Sequence, residues 1–214
     1  MVRSLFSNAA RPFLYLALVV FSAVMIRRDA DWLEAGRKYV EISHTELLQE
    51  AYILLTSLVF LFIGKRFEPL RPVAFLLSGF FVVVLIREMD AYLDVIFHGA
   101  WLPVALAAMV ITLRVTYRQR DDFVQSLECF TSTTAFGYFV SGGLCVFVFS
   151  RLFGSKALWS AVFQAETLES FSPSRWVKNA VEEGSELFGY CLILCASIEL
   201  LTYAIRHYGS RNPT

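Results

Sequence analysis

The side chains best suited to chemistry in this sequence are acidic residues and histidines that recur at helical spacing. Asp90, Asp94 and His98 are each four residues apart, so a helix that continues past Arg87 would align them on one face. Two carboxylates and one imidazole are donors that a divalent cation accepts. We therefore predict Asp90, Asp94 and His98 as metal ligands, although these donors do not distinguish zinc, iron and manganese.

Two pairs of glutamates repeat the same spacing. Glu182 and Glu186 are four residues apart, as are Glu46 and Glu50. If these pairs lie beside the first group, Glu186 becomes the fourth metal ligand, and Glu50 or Glu182 becomes the general base that activates a metal-bound water. Glu50 and Glu182 are therefore the predicted catalytic residues.

Two more acids and one base complete the predicted pocket. Glu46 and Glu88 would add negative charge to it, and Arg87 would neutralise part of that charge. Such a cluster in a low-dielectric wall must bind a cation, pair with arginine or keep some carboxyls protonated. The alternative is that the acids are solvated in aqueous loops and form no site. The sequence contains no His-Glu-x-x-His or Cys-x-x-Cys signature that would decide between these.

The composition is that of a membrane protein. Of 214 residues, 57% are hydrophobic and 18% are charged, against about 45–50% and about 25% in soluble domains, and the mean hydropathy is +0.55. Nineteen basic residues balance nineteen acidic ones, so there is no positive excess for binding nucleic acid. We predict a single membrane domain over residues 1–214, in contact with the lipid bilayer.

Six runs with few or no charges predict an all-α bundle of six membrane-spanning helices, because only a helix satisfies its own backbone in lipid. The runs are 12–26, 51–64, 72–86, 95–113, 129–150 and 187–205, the last interrupted by Glu199. The second and third hold only 14 and 15 residues, and roughly 21–23 Å of helix does not cross a hydrocarbon core of about 30 Å. Flanking charged residues, among them Glu50 and Arg87, are therefore expected to extend these helices.

Small residues mark one predicted helix contact. The fifth run contains Gly137, Ser141, Gly142 and Gly143. Gly137 and Ser141 lie four residues apart, a spacing that lets two helices approach closely in a membrane.

The distribution of charge predicts the orientation. With six spans both termini lie on one side, and the short loops on that side have the higher density of lysine and arginine, so we predict that both termini are cytoplasmic. Fourteen of the nineteen acids fall on the opposite side. The protein is therefore expected in a cytoplasmic (inner) membrane, with its acidic loops on the non-cytoplasmic face.

The loop before the last span has a pattern of its own. Apolar residues recur among polar ones from Lys156 to Phe171, which predicts a short amphipathic helix on the membrane surface. Ser172 and Pro173 offer a helix start, from which the last helix could run unbroken to about Arg206.

Three functions from different classes fit these patterns. The favoured hypothesis is a metal-dependent hydrolase that acts on a lipid or lipid-linked substrate, because acids from three helix ends would converge at one membrane face. The second is a cation- or proton-coupled transporter or channel, with the same acids as an outer site and Glu199 as an inner one. The third is a non-catalytic membrane subunit of a larger complex, bound to a partner subunit or to a second copy of the chain.

Overall fold

The protein is helical throughout the part of the chain that the structure, a computed structural model, describes. That part comprises residues 2–34, 43–164 and 175–209, and it contains no strand. The helices are α1 (Val2–Glu34), α2 (His44–Arg66), α3 (Arg71–Glu88), α4 (Asp90–Leu93), α5 (Trp101–Tyr117), α6 (Phe123–Thr131), α7 (Thr134–Leu144), α8 (Ser150–Phe153), α9 (Lys156–Gln164) and α10 (Arg175–Tyr208). Single 3₁₀ turns occupy Glu68–Leu70 and Arg120–Asp122, and a π-helical turn, Cys145–Phe149, joins α7 to α8.

Several of these helices are long and apolar enough to cross a membrane. Within the described ranges five segments meet that criterion: Ala10–Asp31, His44–Arg66, Glu68–Glu88, Thr134–Phe153 and Val177–Tyr208. A sixth exists if the pair Trp101–Tyr117 and Arg120–Thr131, which is bent by 75°, forms one span. The predicted all-α membrane fold is confirmed, whereas the count of exactly six spans and the orientation of the termini stay predictions.

The helices extend beyond the uncharged runs, as the length argument requires. The second span is a helix of 23 residues that includes Glu46 and Glu50. The third spans 21 residues from Glu68 to Glu88, so it takes in Arg87 and Glu88. The prediction that flanking charged residues lengthen both helices is therefore confirmed.

The chain departs from the predicted fourth run in the segment between α3 and α5. Helix α3 ends at Glu88, and α5 begins at Trp101 rather than at residue 95. Turns occupy most of the segment between them, and Gly99 has a φ of +83°, a left-handed conformation that glycine adopts without strain. The continuous helix expected past Arg87 is therefore absent, and Asp90, Asp94 and His98 do not share one unbroken helix.

The chain divides into two compact units. The first comprises Met1–Gln49 and Ser141–Leu192, and the second comprises Glu50–Val140 and Ile193–Thr214. The single membrane domain predicted from the sequence stays a prediction.

Close backbone packing organises the first unit. A Cβ atom on Gly189 of α10 would lie 2.8 Å from the carbonyl oxygen of Gly142 and 2.6 Å from Val146 Cγ2. Only glycine fits this approach. Of the small residues in the fifth run, Gly142 takes part in this close contact, whereas a Cβ atom at Gly137 would meet nothing within 4 Å.

Aromatic stacking and hydroxyl pairs organise the second unit. Phe81 lies 6.1 Å from Phe60 and 6.3 Å from Phe139, measured between ring centroids. Ser57 and Ser78 are buried, and each hydroxyl donates to the other residue's backbone carbonyl at 3.0 Å. Reciprocal hydrogen bonds of this kind hold α2 against α3 and satisfy both buried hydroxyl groups without water.

The segment before the last span is described only in part. Helix α9 covers Lys156–Gln164 of the predicted amphipathic segment, and the remainder of that segment, with Ser172 and Pro173, lies outside the described residues. Helix α10 runs without a break over 34 residues, so the prediction of one long last helix is confirmed.

Candidate functional site

Arg151 brings its guanidinium group to two carboxylates on α10. Its Nη2 atom donates to Glu186 Oε1, and its Nη1 atom lies 3.6 Å from Glu182 Oε1. Lys178, one turn before Glu182, donates from Nζ to Glu182 Oε2 at 2.9 Å. We call these four residues, Arg151, Lys178, Glu182 and Glu186, the Arg151 network.

The network lies at the ends of two apolar segments. Arg151 belongs to the candidate span Thr134–Phe153, and the other three residues belong to Val177–Tyr208. The side chains of Glu182 and Glu186 are 20% and 11% exposed, whereas Arg151 is 64% exposed. Two carboxylates and two cations balance, which is how charged groups are tolerated at membrane depth.

Neighbouring backbone and side chains position the network. Gly154, which follows α8, lies directly against the Glu182 carboxylate, and a Cβ atom at that position would collide with it. The indole N–H of Trp159 donates to the Phe153 carbonyl, which fixes α9 to the end of α8. The buried Gln49 donates from Nε2 to the Glu183 carbonyl at 2.9 Å, on the turn of α10 between the two network glutamates.

A second buried carboxylate, Asp29 of α1, holds the start of α2. Its Oδ1 atom accepts hydrogen bonds from the His44 backbone N–H at 3.0 Å and pairs with His44 Nδ1 at 2.7 Å. Its Oδ2 atom accepts from the Thr45 backbone N–H at 2.8 Å and the Thr45 hydroxyl at 2.6 Å. A carboxylate here satisfies N–H groups that have no partner inside the helix and complements the helix dipole.

Glu46 has a capping role. Its Oε2 atom accepts from the Ser43 N–H at 3.0 Å, and its own N–H donates to Ser43 Oγ at 3.0 Å. This reciprocal pair is a capping box, which fixes the first turn of α2. The predicted pocket acid Glu46 therefore has a structural use in the first unit.

The acids after α3 pair with near neighbours in the second unit. Arg87 donates to Asp90 Oδ2 at 2.7 Å, and its guanidinium lies 5.5 Å from the centroid of the Trp101 ring. Asp94 Oδ2 lies 3.1 Å from His98 Nδ1, and Asp94 Oδ1 accepts from the Gly99 N–H at 2.9 Å. Arg87 thus pairs with Asp90, and its role as the counter-charge of the predicted pocket stays a prediction.

The predicted metal site is distributed over both units. Glu46, Glu182 and Glu186 belong to the first unit, and Glu50, Glu88, Asp90, Asp94 and His98 belong to the second. Glu50 and Glu88 are half-buried, and each has an interaction partner. Among the described residues no group of three His, Cys, Asp or Glu side chains is arranged to hold a metal ion. The metal ligands and the catalytic roles of Glu50 and Glu182 stay predictions.

The sequence analysis did not single out Arg151, Lys178 or Asp29. A usable signal existed for Arg151, because it is the first charged residue after the uncharged run 129–150 and the predicted topology places it on the same side as Glu182 and Glu186. Charge at the end of an apolar run calls for a partner of opposite sign. The sequence carries no such signal for the partner of Asp29, since His44 lies 15 residues further along the chain.

Comparison with known proteins gives one partial similarity. No family model matches the chain, and no solved structure matches it significantly. A stretch of 68 residues is 32% identical to a probable potassium transport system protein Kup of Chlorobium phaeovibrioides. The match covers 31% of this chain and 11% of that protein, so the chain spans about a tenth of the relative's length.

Proposed function

We propose that this protein moves a monovalent cation across the membrane, and that Glu182 and Glu186 are the carboxylates that respond to the ion. The observation that carries the proposal is the contact of one guanidinium, that of Arg151, with two poorly exposed carboxylates in an apolar helix. Ionisable groups within membrane spans mark ion pathways and proton relays more often than they serve packing.

The exposure of the partners suggests how the network can exchange ions. Arg151 is largely exposed and Glu186 is almost buried, so the guanidinium can leave for solvent while the carboxylate stays in place. The Coulomb attraction of two unit charges about 4 Å apart near a protein surface is about 4 kcal/mol before the cost of removing them from water. A cation that takes the place of Arg151 meets the same two carboxylates and gains an attraction of the same kind.

The partial similarity supports the same class of function. The relative is described as a probable potassium transport system protein, and it shares 68 aligned residues with this chain. We therefore take potassium as the first ion to test.

Flux into vesicles tests the proposal. Purified protein is reconstituted into liposomes, and rubidium uptake is driven by an outward potassium gradient. We expect uptake above that of empty liposomes, and a loss of tenfold or more in Glu186→Gln, which removes the charge but keeps the shape. Glu186→Asp, which keeps the charge, should retain part of the activity.

The matched control is Asp121→Asn, at an exposed acid that pairs with Arg120 at 3.7 Å outside the network. Its uptake should equal that of the original protein. The proposal fails if the original protein transports no rubidium, or if Glu186→Gln transports as well as Asp121→Asn.

A divalent metal centre that hydrolyses a lipid or lipid-linked substrate is the second candidate, and one observation favours it. The imidazole of His98 is fully exposed, and its Nδ1 atom pairs with Asp94. A carboxylate on one ring nitrogen commonly orients the other, here Nε2, toward a metal. Elemental analysis of the purified protein tests this: one divalent ion per chain, lost in His98→Ala, supports the metal centre, and absence of metal excludes it.

A further inference from the structure

Three consecutive apolar side chains project from the turn between α4 and α5. Val95, Ile96 and Phe97 are 84%, 74% and 57% exposed. They lie outside the candidate spans, after Glu68–Glu88 and before Trp101–Tyr117. Exposed apolar side chains that are grouped in this way mark a site of contact with a membrane or with another protein. We call residues 95–97 the apolar tip.

The backbone around the apolar tip is folded rather than loose. The N–H of Ile96 donates to the Leu93 carbonyl and the N–H of Ala100 to the Phe97 carbonyl, both at 3.0 Å. The Asp94 carboxylate accepts from the Gly99 N–H. These bonds hold the three side chains out on one short turn, so their exposure is a built feature.

The residues at the base of the turn are those found at a membrane boundary. Arg87 lies over the Trp101 ring, and Tyr92 is exposed. Tryptophan, tyrosine and the long arginine side chain concentrate where headgroups meet acyl chains, because each has an apolar body and a polar end.

Exposed apolar side chains also occur on the helices beside the apolar tip. Leu102 and Val104 on the first turn of α5 are exposed, as is Phe80 on α3. Helix α5 has 17 residues, or roughly 26 Å, which is shorter than a hydrocarbon core of about 30 Å. The turn that precedes α5 therefore lies close to the membrane boundary if α5 enters the hydrocarbon core as part of the bent pair Trp101–Tyr117 and Arg120–Thr131.

We propose that the apolar tip is an interfacial wedge: Val95, Ile96 and Phe97 insert into the acyl region of one leaflet, while Trp101 and Arg87 stay at the headgroups. The occupant is the lipid bilayer. Nearby charge argues against attraction by anionic headgroups, because Glu88, Asp90 and Asp94 outnumber Arg87, and His98 adds at most one positive charge. Insertion should therefore depend on apolar area and not on lipid charge.

Electron paramagnetic resonance of a spin label at Ile96→Cys tests the wedge. The half-buried Cys129 and Cys145 are first replaced by serine, and the buried Cys191 and Cys195 are left in place because they are protected from the label. The protein is placed in phosphatidylcholine nanodiscs with and without phosphatidylglycerol. We expect the label to collide more with oxygen, which partitions into lipid, than with a soluble nickel chelate, to a similar extent in both lipids.

Asp121→Cys, in the exposed turn at the other end of α5, is the matched control and should show the opposite preference. A second label at Val95→Cys repeats the test if the first variant fails to fold. The proposal is overturned if labels at the tip prefer the nickel chelate. It is also overturned if they are shielded from both reagents, which would mean that a second copy or another protein covers the tip.

Discussion

Arg151 illustrates at the residue level how a charge is kept at the end of an apolar span. Its guanidinium contacts Glu182 and Glu186, and Lys178 supplies the second positive charge. Removing one partner leaves the charges of the remaining side chains unpaired where little water reaches them. The resulting loss in the free energy of unfolding is larger than the loss on breaking an exposed ion pair.

A double-mutant cycle between Arg151 and Glu186 measures this coupling. The single variants Arg151→Ala and Glu186→Gln should each lower the thermal stability of the detergent-solubilised protein, and the double variant should lose less than the sum. We expect a coupling of about 1–3 kcal/mol. The same cycle at the exposed Arg120 and Asp121 pair should give a coupling below about 1 kcal/mol. Equal couplings in the two cycles would contradict the account.

Asp29 provides a second test at this level. Asp29→Ala removes an acceptor of four hydrogen bonds at the start of α2, and we expect a loss of about 2 kcal/mol in stability. Asp31→Ala, at an exposed acid two residues later, should change stability by less than about 0.5 kcal/mol. Thermal unfolding followed by circular dichroism measures both, and similar values for the two would show that Asp29 is not a cap.

At the level of helices, glycines show where backbones meet. Gly189→Ala should destabilise the protein by about 1–3 kcal/mol, because the new Cβ atom would lie 2.8 Å from the Gly142 carbonyl oxygen, which is backbone and cannot rotate away. Gly137→Ala has open space and should stabilise α7 by up to about 1 kcal/mol. Thermal unfolding of the two variants should therefore shift in opposite directions, and a shift in the same direction would contradict the packing.

The sequence predicts helices better than it predicts where they break. Short uncharged runs correctly implied that α2 and α3 extend into charged flanks, because a span has a minimum length. The break between the third and fourth runs was predicted, but the next helix begins at Trp101 instead of residue 95. Gly99 is left-handed in the turn before α5, and glycine in a sequence is compatible with both a helix and a turn. The contact at Gly189 was missed because small residues mark a surface for close approach without identifying the partner.

At the level of the whole molecule, the number of spans decides the topology. The segments that can cross a membrane number five, or six if the bent pair from Trp101 to Thr131 is one span. Six spans place both termini on the same side, and five place them on opposite sides. We expect reporter domains fused to each end, one fluorescent only in the cytoplasm and one active only outside it, to report a cytoplasmic location at both ends. Opposite locations would exclude six spans.

The candidate site, like the number of spans, could be predicted only in part from the sequence. Hydropathy and charge placed acids at helix ends, and Glu182 and Glu186 do lie at the end of a long span. Their partner Arg151 lies 35 residues before Glu186, and periodicity does not encode a contact between segments so far apart. Lys178 lies four residues before Glu182, so its contact was within reach of the helical spacing.

The initial rate of rubidium uptake into proteoliposomes, compared between the original protein and Glu186→Gln at equal reconstitution, tests the central claim most directly. The account predicts uptake that follows the potassium gradient in the original protein and falls at least tenfold in the variant. Gradient-independent uptake, or equal rates in the two proteins, would contradict the role of the Arg151 network in ion movement.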